Sequence, residues 1–409
     1  MRGPLAAVAA TAALLAPIAA QAAPTTSAKL ASALRSHEIS SSESAAVAVD
    51  LATGQTVFQR NGSVALEPAS NEKLAVTYGA LTQLGPAYRF RTVVLGEGKQ
   101  VGSVWEGRLV LKGYGDPTLQ TDDLQRLVRK LYARGIRTVT GHVAGDGSYF
   151  DDDWTAPGWR PEFYGIESGP LAGLVVNRGF RHKRLARDPR LAAAALFDQL
   201  LRAQGIVARD AVVGTARTGA RPLASVRSKT LAHLLPQMDA DSDNFVAEMT
   251  LKVIGAEAAG KGTTAAGAAV VRRDLAAGGI PLEGVRIVDG SGLSRLDRVT
   301  ARELAALLVT FWRSPELRDI VPGSLAVAGK TGTLEHRLLG RHTRGIVRGK
   351  TGTTDIASAL SGYIGSRYAF VLIENGHPVN WAAAHTVQDR FVVTLARVTR
   401  REALSARPR

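Results

Sequence analysis

The 409-residue sequence contains no cysteine, which excludes disulfide bonds, a cysteine nucleophile and thiolate metal sites. It also lacks His-Glu-x-x-His, the helical zinc motif, and Gly-x-Ser-x-Gly, the serine elbow of triad hydrolases. We therefore expect neither a metal nor a cofactor. Acidic residues are scarce: 36 Asp and Glu stand against 51 Lys and Arg, which gives a formal net charge of +15. That excess suits an anionic partner but does not choose between nucleic acid, a membrane surface and another polyanion.

Only the N-terminus carries a long apolar run, at residues 5–20, which are rich in Ala and Leu. Arg2 precedes the run, and Ala20-Gln21-Ala22 follows it with the small-x-small pattern at which secretory signal peptides are cleaved. We predict that residues 1–22 are a signal peptide. The mature chain is then exported, to the periplasm or to the extracellular or cell-wall space. The alternative, an N-terminal helix of the fold, does not account for the cleavage pattern.

The rest of the sequence predicts a mixture of helices and strands. Residues 96–220 alternate strand-like pieces with Gly/Asp turns around one amphipathic helix, 122–133, and we predict a smaller α/β domain inserted there. The larger domain is then discontinuous, 23–95 and 221–409, and ends in a weakly structured basic tail, 398–409. Its predicted strands are 46–49, 55–58, 357–364 and 368–373, and its predicted helices are 70–84, 231–235, 245–254, 264–277, 301–311 and 386–397.

Three short motifs occur in order: Ser70-Asn71-Glu72-Lys73, Ser242-Asp243-Asn244 and Lys-Thr-Gly. Each is common by chance, but the ordered set is the one found in penicillin-binding proteins and class A β-lactamases. Ser70 opens a helix, whose free N–H groups favour a developing oxyanion, and Lys73 lies one turn further on the same face. A desolvated Lys73 could take the serine proton, Ser242 could relay one to a leaving group, and Asn244 could orient Lys73 or hold a substrate amide.

Lys-Thr-Gly occurs twice, at 330–332 and at 350–352. The motif has to lie on a strand at the edge of the cleft, where an extended peptide can add as a further strand. Only the second copy is followed by a hairpin partner, 357–364, so we assign the site to Lys350, Thr351 and Gly352. The N–H groups of Thr353 and Ser70 would then form the oxyanion hole.

These motifs make the chain similar to the D-alanyl-D-alanine carboxypeptidase/endopeptidases of peptidase family S13. The resemblance also rests on residues 68–73, 113–119, 145–150, 241–244 and, most specifically, on Asp-Gly-Ser-Gly-Leu-Ser-Arg at 289–295. It implies an α/β (α+β) serine transpeptidase/β-lactamase-like fold, an antiparallel sheet flanked by helices. It also implies hydrolysis of peptidoglycan stem peptides through an acyl-enzyme. Penicillins are expected to inhibit such an enzyme by acylating it.

The resemblance carries two further expectations. Asp146 and Arg295 match residues that, in the family, hold the amine and carboxylate of a diaminopimelate-type side chain, an arrangement suited to a zwitterion. The 172 positions between Ser70 and Ser242 are fewer than the family leads us to expect, so one inserted subdomain looks lost after residue 177. Expected partners are peptidoglycan peptides and β-lactam antibiotics, with no nucleic acid and at most peripheral contact with an anionic wall or membrane surface.

Two other functions remain open at this point. One is a catalytically weak or silent wall-binding or polyanion-binding protein on the same fold, which only the net charge favours. The other is a β-lactamase-like or esterase-like serine hydrolase. A class A β-lactamase uses a Glu, usually in Glu-x-x-Leu-Asn, to activate the deacylating water, and that string is absent. Acylation by a penicillin separates a silent protein from an enzyme.

Overall fold

The structure is a computed structural model that describes residues 25–181 and 183–405. The predicted signal peptide, residues 1–22, lies outside the described residues. No helix within the described ranges is both long and apolar enough to cross a membrane.

Helices occur in both parts of the chain. The helices are α1 Thr26–Ala33, α2 Lys73–Gln83, α3 Thr121–Ala133, α4 Pro189–Ala203, α5 Leu231–Asp239, α6 Asn244–Ala259, α7 Thr264–Ala277, α8 Ala301–Arg313, α9 Pro315–Arg318, α10 Ile320–Ser324 and α11 Trp381–Ser405. Of these, α3 and α4 belong to the inserted domain. Short 3₁₀ turns are formed by Ala69–Glu72, Pro161–Phe163, Asn177–Gly179 and Gly332–Leu334.

Most strands belong to two sheets. They are β1 Ser44–Asp50, β2 Thr56–Arg60, β3 Ala65–Leu66, β4 Arg91–Val101, β5 Val104–Gly113, β6 Thr138–Val139, β7 Val143–Asp146, β8 Phe180–Arg181, β9 Arg184–Leu185, β10 Ala211–Val213, β11 Arg221–Arg227, β12 Val299–Thr300, β13 Ala326–Val327, β14 Val347–Thr353, β15 Ala357–Ile364 and β16 Tyr368–Asn375.

The main sheet is antiparallel throughout, in the order β13-β14-β15-β16-β1-β2. Every residue of β15 is buried, because helices cover both faces of the sheet. On one face α1 and α11 contribute Leu30 and Phe391 to the core. On the other face α2 and α5–α8 contribute a larger core that includes Leu74 and Phe311. This is the expected antiparallel sheet flanked by helices.

A second, mixed sheet has the order β10-β7-β5-β4-β11, with β6 beside β5. Helices α3 and α4 bury Leu127 and Phe197 against it, in a hydrophobic core separate from that of the main sheet. Strand β4 begins at residue 91, and its partner β11 ends at residue 227. Domain limits at 96 and 220, as expected from the sequence, would divide β4 between the two domains and separate β11 from the rest of its sheet. We propose that the inserted domain extends from 91 to 227, since a sheet is not divided between domains.

Two helices have different limits from those predicted. The helix expected from Ser70 begins as a 3₁₀ turn, Ala69–Glu72, and becomes α-helical at Lys73. The last helix begins at Trp381, where Asn380 caps it through a hydrogen bond from the Ala383 N–H of 3.1 Å. It continues to Ser405, so the expectation of a weakly structured segment from 398 is wrong over most of its length. Arg, Glu, Ala and Leu favour helix there, and no proline occurs before Pro408.

Candidate active site

Ser70 lies in the 3₁₀ turn that precedes α2, and two glycines allow neighbouring backbone to approach this turn closely. A methyl group on Gly292, whose φ is 78°, would lie 1.9 Å from the Ala69 carbonyl oxygen. A methyl group on Gly352 of β14 would lie 2.9 Å from the Pro68 carbonyl oxygen. Side chains at these positions would push the 289–295 loop and β14 away from the serine. Gly352 is therefore needed for packing, whatever it contributes to binding.

Lys73 is fully buried beneath Ser70. Its Nζ donates hydrogen bonds to Ser70 Oγ at 2.8 Å, to Asn244 Oδ1 at 2.8 Å and to the Ser291 carbonyl oxygen at 2.6 Å. Burial lowers the pKa of Lys73 to about 8. The negative charge of the nearby Asp289 opposes this change, because it favours the charged form of the lysine. A lysine with this pKa can lose its proton near neutral pH and receive one from the serine hydroxyl.

Lys350 is the second fully buried lysine of the cleft. Its Nζ donates to Ser242 Oγ at 2.8 Å and to the Thr351 carbonyl oxygen at 2.9 Å. Burial and then the charge of Lys73 hold the pKa of Lys350 well below its usual value. A charged Lys73 therefore disfavours protonation of Lys350, because both amines lie buried in one cleft.

The second Lys-Thr-Gly copy lies on β14, as predicted, and pairs with β15 so that Lys350 is opposite Ser361. On its other side β13 pairs only with Arg348 and Gly349. Among the described strands, none pairs with the outer edge of residues 350–353. The backbone groups on that edge are therefore free to bind an extended peptide.

The first copy lies outside the strand, and its Lys330 is exposed. The residue after this copy still reaches the cleft, because Thr333 Oγ1 and Thr351 Oγ1 share a hydrogen bond of 2.7 Å. The first copy thus supports the second through its neighbouring turn. Sequence reasoning missed this contact, since nothing in the motif indicates which side chain the Thr351 hydroxyl would meet.

Ser242 lies in the short connection between α5 and α6, and Asn244 is the first residue of α6. Ser242 adopts a left-handed conformation with φ of 63°, a strained state for a residue with a side chain. Asp243 caps α6 by accepting the Val246 N–H at 3.1 Å, and it also forms an ion pair with Arg178 of the inserted domain. The cap and the ion pair restrain the turn that directs Ser242 toward Lys350.

Two buried carboxylates, Asp289 and Glu248, shape the 289–295 loop, and sequence patterns assigned neither of them a role. Asp289 accepts hydrogen bonds from the N–H groups of Gly292 and Ser294, at 2.7 and 2.9 Å. Glu248 of α6 accepts from the N–H groups of Gly290 and Ser291, at 3.0 and 2.8 Å. These bonds orient the Ser291 carbonyl toward Lys73. Glu248 lies 42 residues before Gly290 and outside every motif, so nothing in the sequence indicated its contact with the loop. Asp289 opens the 289–295 motif, but that motif did not indicate which groups its carboxylate would bind.

A family model described as the D-Ala-D-Ala carboxypeptidase 3 (S13) family matches residues 26–187 and 177–398. The chain belongs to this family. A D-alanyl-D-alanine carboxypeptidase of Actinomadura sp. (strain R39) is 30% identical over 440 residues, which cover 86% of this chain and 81% of that protein. Carboxypeptidase DacB of Mycolicibacterium smegmatis is 31% identical over 353 residues, 80% of this chain and 75% of the relative.

The fold is also that of a solved member with low sequence identity. Penicillin binding protein 4 (dacB) from Haemophilus influenzae superposes with a TM-score of 0.81 at 21% identity, covering 90% of this chain and 98% of that one. The predicted S13 membership and the predicted transpeptidase/β-lactamase-like fold are confirmed.

The inserted domain contributes to the cleft of this S13 protein through residues 159–168. Trp159 Nε1 donates to Asp289 Oδ2 at 2.8 Å, and Arg160 forms an ion pair of 3.0 Å with Asp355. Arg295, half exposed, pairs with the same Asp355 carboxylate. Arg295 therefore lies at the junction of the two domains. Its guanidinium is accessible to solvent at the rim of the site.

Asp146 and Arg295, expected to hold one side chain together, make no contact with each other among the described residues. Asp146 ends β7 within the inserted sheet and is buried. Its carboxylate accepts hydrogen bonds from the N–H groups of Ser148 and Ala216, at 2.9 and 2.8 Å, and pairs with Lys112 at 3.2 Å. Burial raises the pKa of Asp146, but the hydrogen bonds outweigh it and the pKa lies below its usual value. These contacts stabilise the sheet, and the substrate contact of Asp146 stays a prediction.

Glu303, in the first turn of α8, is fully buried, and neither carboxyl oxygen has a hydrogen-bond partner among the described residues. Burial raises the pKa of Glu303 to about 8. The folded protein therefore holds a proton that the unfolded chain has lost between pH 4.5 and 8, so this group makes stability fall as pH rises through that window.

We expect Glu303→Gln to remove that part of the pH dependence. Chemical denaturation at pH 5 and pH 9 should show the variant gaining a few kcal/mol on the native protein between the two conditions. Glu106→Gln, which alters a half-exposed carboxylate in the inserted domain, is the control and should leave the pH dependence unchanged. Identical pH dependence for Glu303→Gln and the native protein would contradict the assignment.

Proposed function

We propose that this S13 protein is a serine D-Ala-D-Ala carboxypeptidase that acts on peptidoglycan stem peptides through an acyl-enzyme. The observation that carries the proposal is the continuous contact from Ser70 to Lys73 to Asn244. A second hydrogen-bonded pair, the buried Lys350 and Ser242, lies opposite. These groups flank a strand edge that can bind a peptide. The family's D-Ala-D-Ala carboxypeptidase members supply the substrate class.

Acylation begins when neutral Lys73 takes the proton of Ser70 and the serine oxygen attacks the penultimate D-Ala carbonyl. The N–H groups of Ser70 and Thr353 stabilise the oxyanion. The C–N bond then breaks, and the departing amine receives a proton through the Ser242 hydroxyl, which recovers one from Lys350. The leaving group is D-Ala in the carboxypeptidase reaction and a cross-linked residue in an endopeptidase reaction.

Substrate binding itself prepares the two lysines for this sequence. The terminal carboxylate of the peptide binds beside Lys350 and Thr351, and its negative charge favours the protonated form of Lys350. A protonated Lys350 disfavours the charge on Lys73, whose pKa already lies near 8 because of burial. Lys73 is thereby neutral when it is required as the base.

Arg295 is the candidate for binding a carboxylate on the substrate's side chain, as in a diaminopimelate-type residue. Its half-exposed guanidinium at the domain junction supports this role. The predicted export of the mature chain agrees with a substrate that lies outside the cytoplasm. The net charge of +15 would allow peripheral contact with an anionic wall or membrane surface.

A fluorescent penicillin tests the proposal directly. The purified protein should become covalently labelled, peptide mapping should locate the label on Ser70, and Ser70→Ala should stay unlabelled. The native protein should also release D-Ala from an acyl-D-Ala-D-Ala peptide. Absence of labelling at high drug concentration would favour the catalytically silent wall-binding alternative, and turnover of penicillin without peptide hydrolysis would favour a β-lactamase.

A further inference from the structure

Glu167 of the inserted domain lies against Asn244, and the acylation steps above do not use it. Asn244 Nδ2 contacts the carbonyl oxygen of Glu167 at 3.3 Å and its Oε2 at 3.2 Å. Because Asn244 Oδ1 accepts from Lys73 Nζ at 2.8 Å, a single amide group separates the Glu167 carboxylate from the catalytic lysine. A solvent-exposed carboxylate thus borders the reaction centre.

Glu167 differs from three nearby acidic residues, Glu162, Asp243 and Asp355, in forming no ion pair within the described part of the chain. Glu162 and Asp355 form ion pairs with Arg160, and Asp243 pairs with Arg178. Among the residues that the structure describes, no basic side chain forms an ion pair with Glu167, which is exposed to solvent in the cleft. Its carboxylate remains available to accept a proton or a hydrogen bond from a small molecule.

The loop holds Glu167 in place by its own hydrogen bonds. The N–H groups of Glu167 and Ser168 donate to the Phe163 carbonyl oxygen, at 2.9 and 3.3 Å, and the Gly165 N–H donates to the Ser168 carbonyl oxygen at 2.8 Å. The contacts of Trp159 and Arg160 attach the start of the loop to the larger domain. Such pre-organisation is what a catalytic group requires.

We propose that Glu167 is a catalytic residue of the second half-reaction, in which it binds and activates the water that hydrolyses the acyl-enzyme. This inference rests on the proposed function. The Glu167 carboxylate takes a proton from water as the water oxygen bonds to the acyl carbon. The bond from that carbon to Ser70 Oγ then breaks, and Ser70 recovers its proton from Lys73. Glu167 returns its proton to solvent, and the product acid loses its own proton to solvent and leaves as a carboxylate. Lys350 regains from solvent the proton that it passed to the departing amine.

The position of Glu167 suits deacylation rather than acylation. Lys73 already serves Ser70 at 2.8 Å, so acylation needs no second base. After acylation Lys73 carries the serine proton, and a separate base for water is then useful. The sequence lacks the Glu-x-x-Leu-Asn string of class A β-lactamases, but the inserted domain brings a carboxylate to the side chain that contacts the catalytic lysine.

The two half-reactions can be measured separately with a chromogenic or fluorescent penicillin. Acylation is followed as formation of the covalent adduct, and deacylation as its decay after free drug is removed. Glu167→Gln, which keeps a side-chain oxygen for Asn244 but is not a base, should acylate within about threefold of the native rate and deacylate about a hundredfold more slowly. Glu167→Asp should recover part of the deacylation rate. Glu162→Gln, in the same loop but ion-paired, is the control and should change neither step.

Two results would overturn the proposal. Native deacylation by Glu167→Gln would show that another group activates the water. Equal losses in both half-reactions would show that Glu167 acts by orienting Asn244. Neither result affects the assignment of Ser70, which fails only if the native protein forms no adduct.

Discussion

Lys73→Met is expected to lower the rate of penicillin acylation by about a thousandfold or more. The methionine side chain has nearly the volume of lysine and can occupy the same buried position, but it cannot accept the Ser70 proton. General-base catalysis typically contributes 10²–10⁴ in rate, and the loss should fall in the upper part of that range because the variant also leaves Asn244 Oδ1 and the Ser291 carbonyl oxygen without a donor.

Lys252→Met is the matched control, since Lys252 is also a fully buried lysine, paired with Asp151 at 2.5 Å. Its replacement should lower the free energy of unfolding, because Asp151 loses its partner, while acylation by the folded protein stays within a few-fold of native. Similar acylation losses in the two variants would mean that loss of any buried lysine disturbs the cleft, and the role of Lys73 as the base would be wrong.

The pH profile of the native enzyme provides a second readout of the same residue. Burial lowers the pKa of Lys73 to about 8, and only the neutral amine can accept the proton. Acylation should therefore rise with pH up to about 8, and the rate at pH 6 should be about fiftyfold below the rate at pH 8, since the neutral fraction of the amine falls from about half to about 1%. A rate independent of pH between 6 and 9 would contradict this.

Local patterns in the sequence predicted the elements that depend on neighbouring residues. The helix 264–277 and the strand 357–364 have the bounds that were expected. Ser70 and Lys73 meet because residues three apart lie on the same face of a helix. Their contact therefore follows from the spacing once the segment is helical. The strand assignment of Lys350 rested on its hairpin partner, another local feature.

The contacts that could not be predicted join residues far apart in the chain. Asn244 meets Glu167, and Trp159 meets Asp289, only because the inserted domain folds back over the cleft. No periodicity or turn in the sequence specifies that approach. The burial of Asp146 has the same origin, because its partners in the inserted sheet lie up to 70 residues away in the chain.

Lys350→Met is expected to lower penicillin acylation by about a hundredfold, whereas Lys330→Met should remain within a few-fold of native. Lys350 Nζ lies 2.8 Å from Ser242 Oγ and provides both the cation for the substrate's carboxylate and the proton that Ser242 passes on. Lys330 carries the same three-residue motif but is exposed and lies off the strand. The two variants make the same chemical change in the same motif, so the comparison isolates position.

Denaturant unfolding of the same variants separates loss of the Lys350 charge from loss of the folded structure as the cause of slower acylation. Removing a buried lysine with a lowered pKa relieves a desolvation cost, so Lys350→Met should unfold at a denaturant concentration no lower than that of the native protein while acylation falls. Thr333→Val should give a smaller loss than Lys350→Met, because it removes only the hydroxyl that supports Thr351 at 2.7 Å. Equal losses for Lys330→Met and Lys350→Met would mean that the first copy also contributes its lysine to the cleft, and the assignment of the active strand to 347–353 would have to be abandoned.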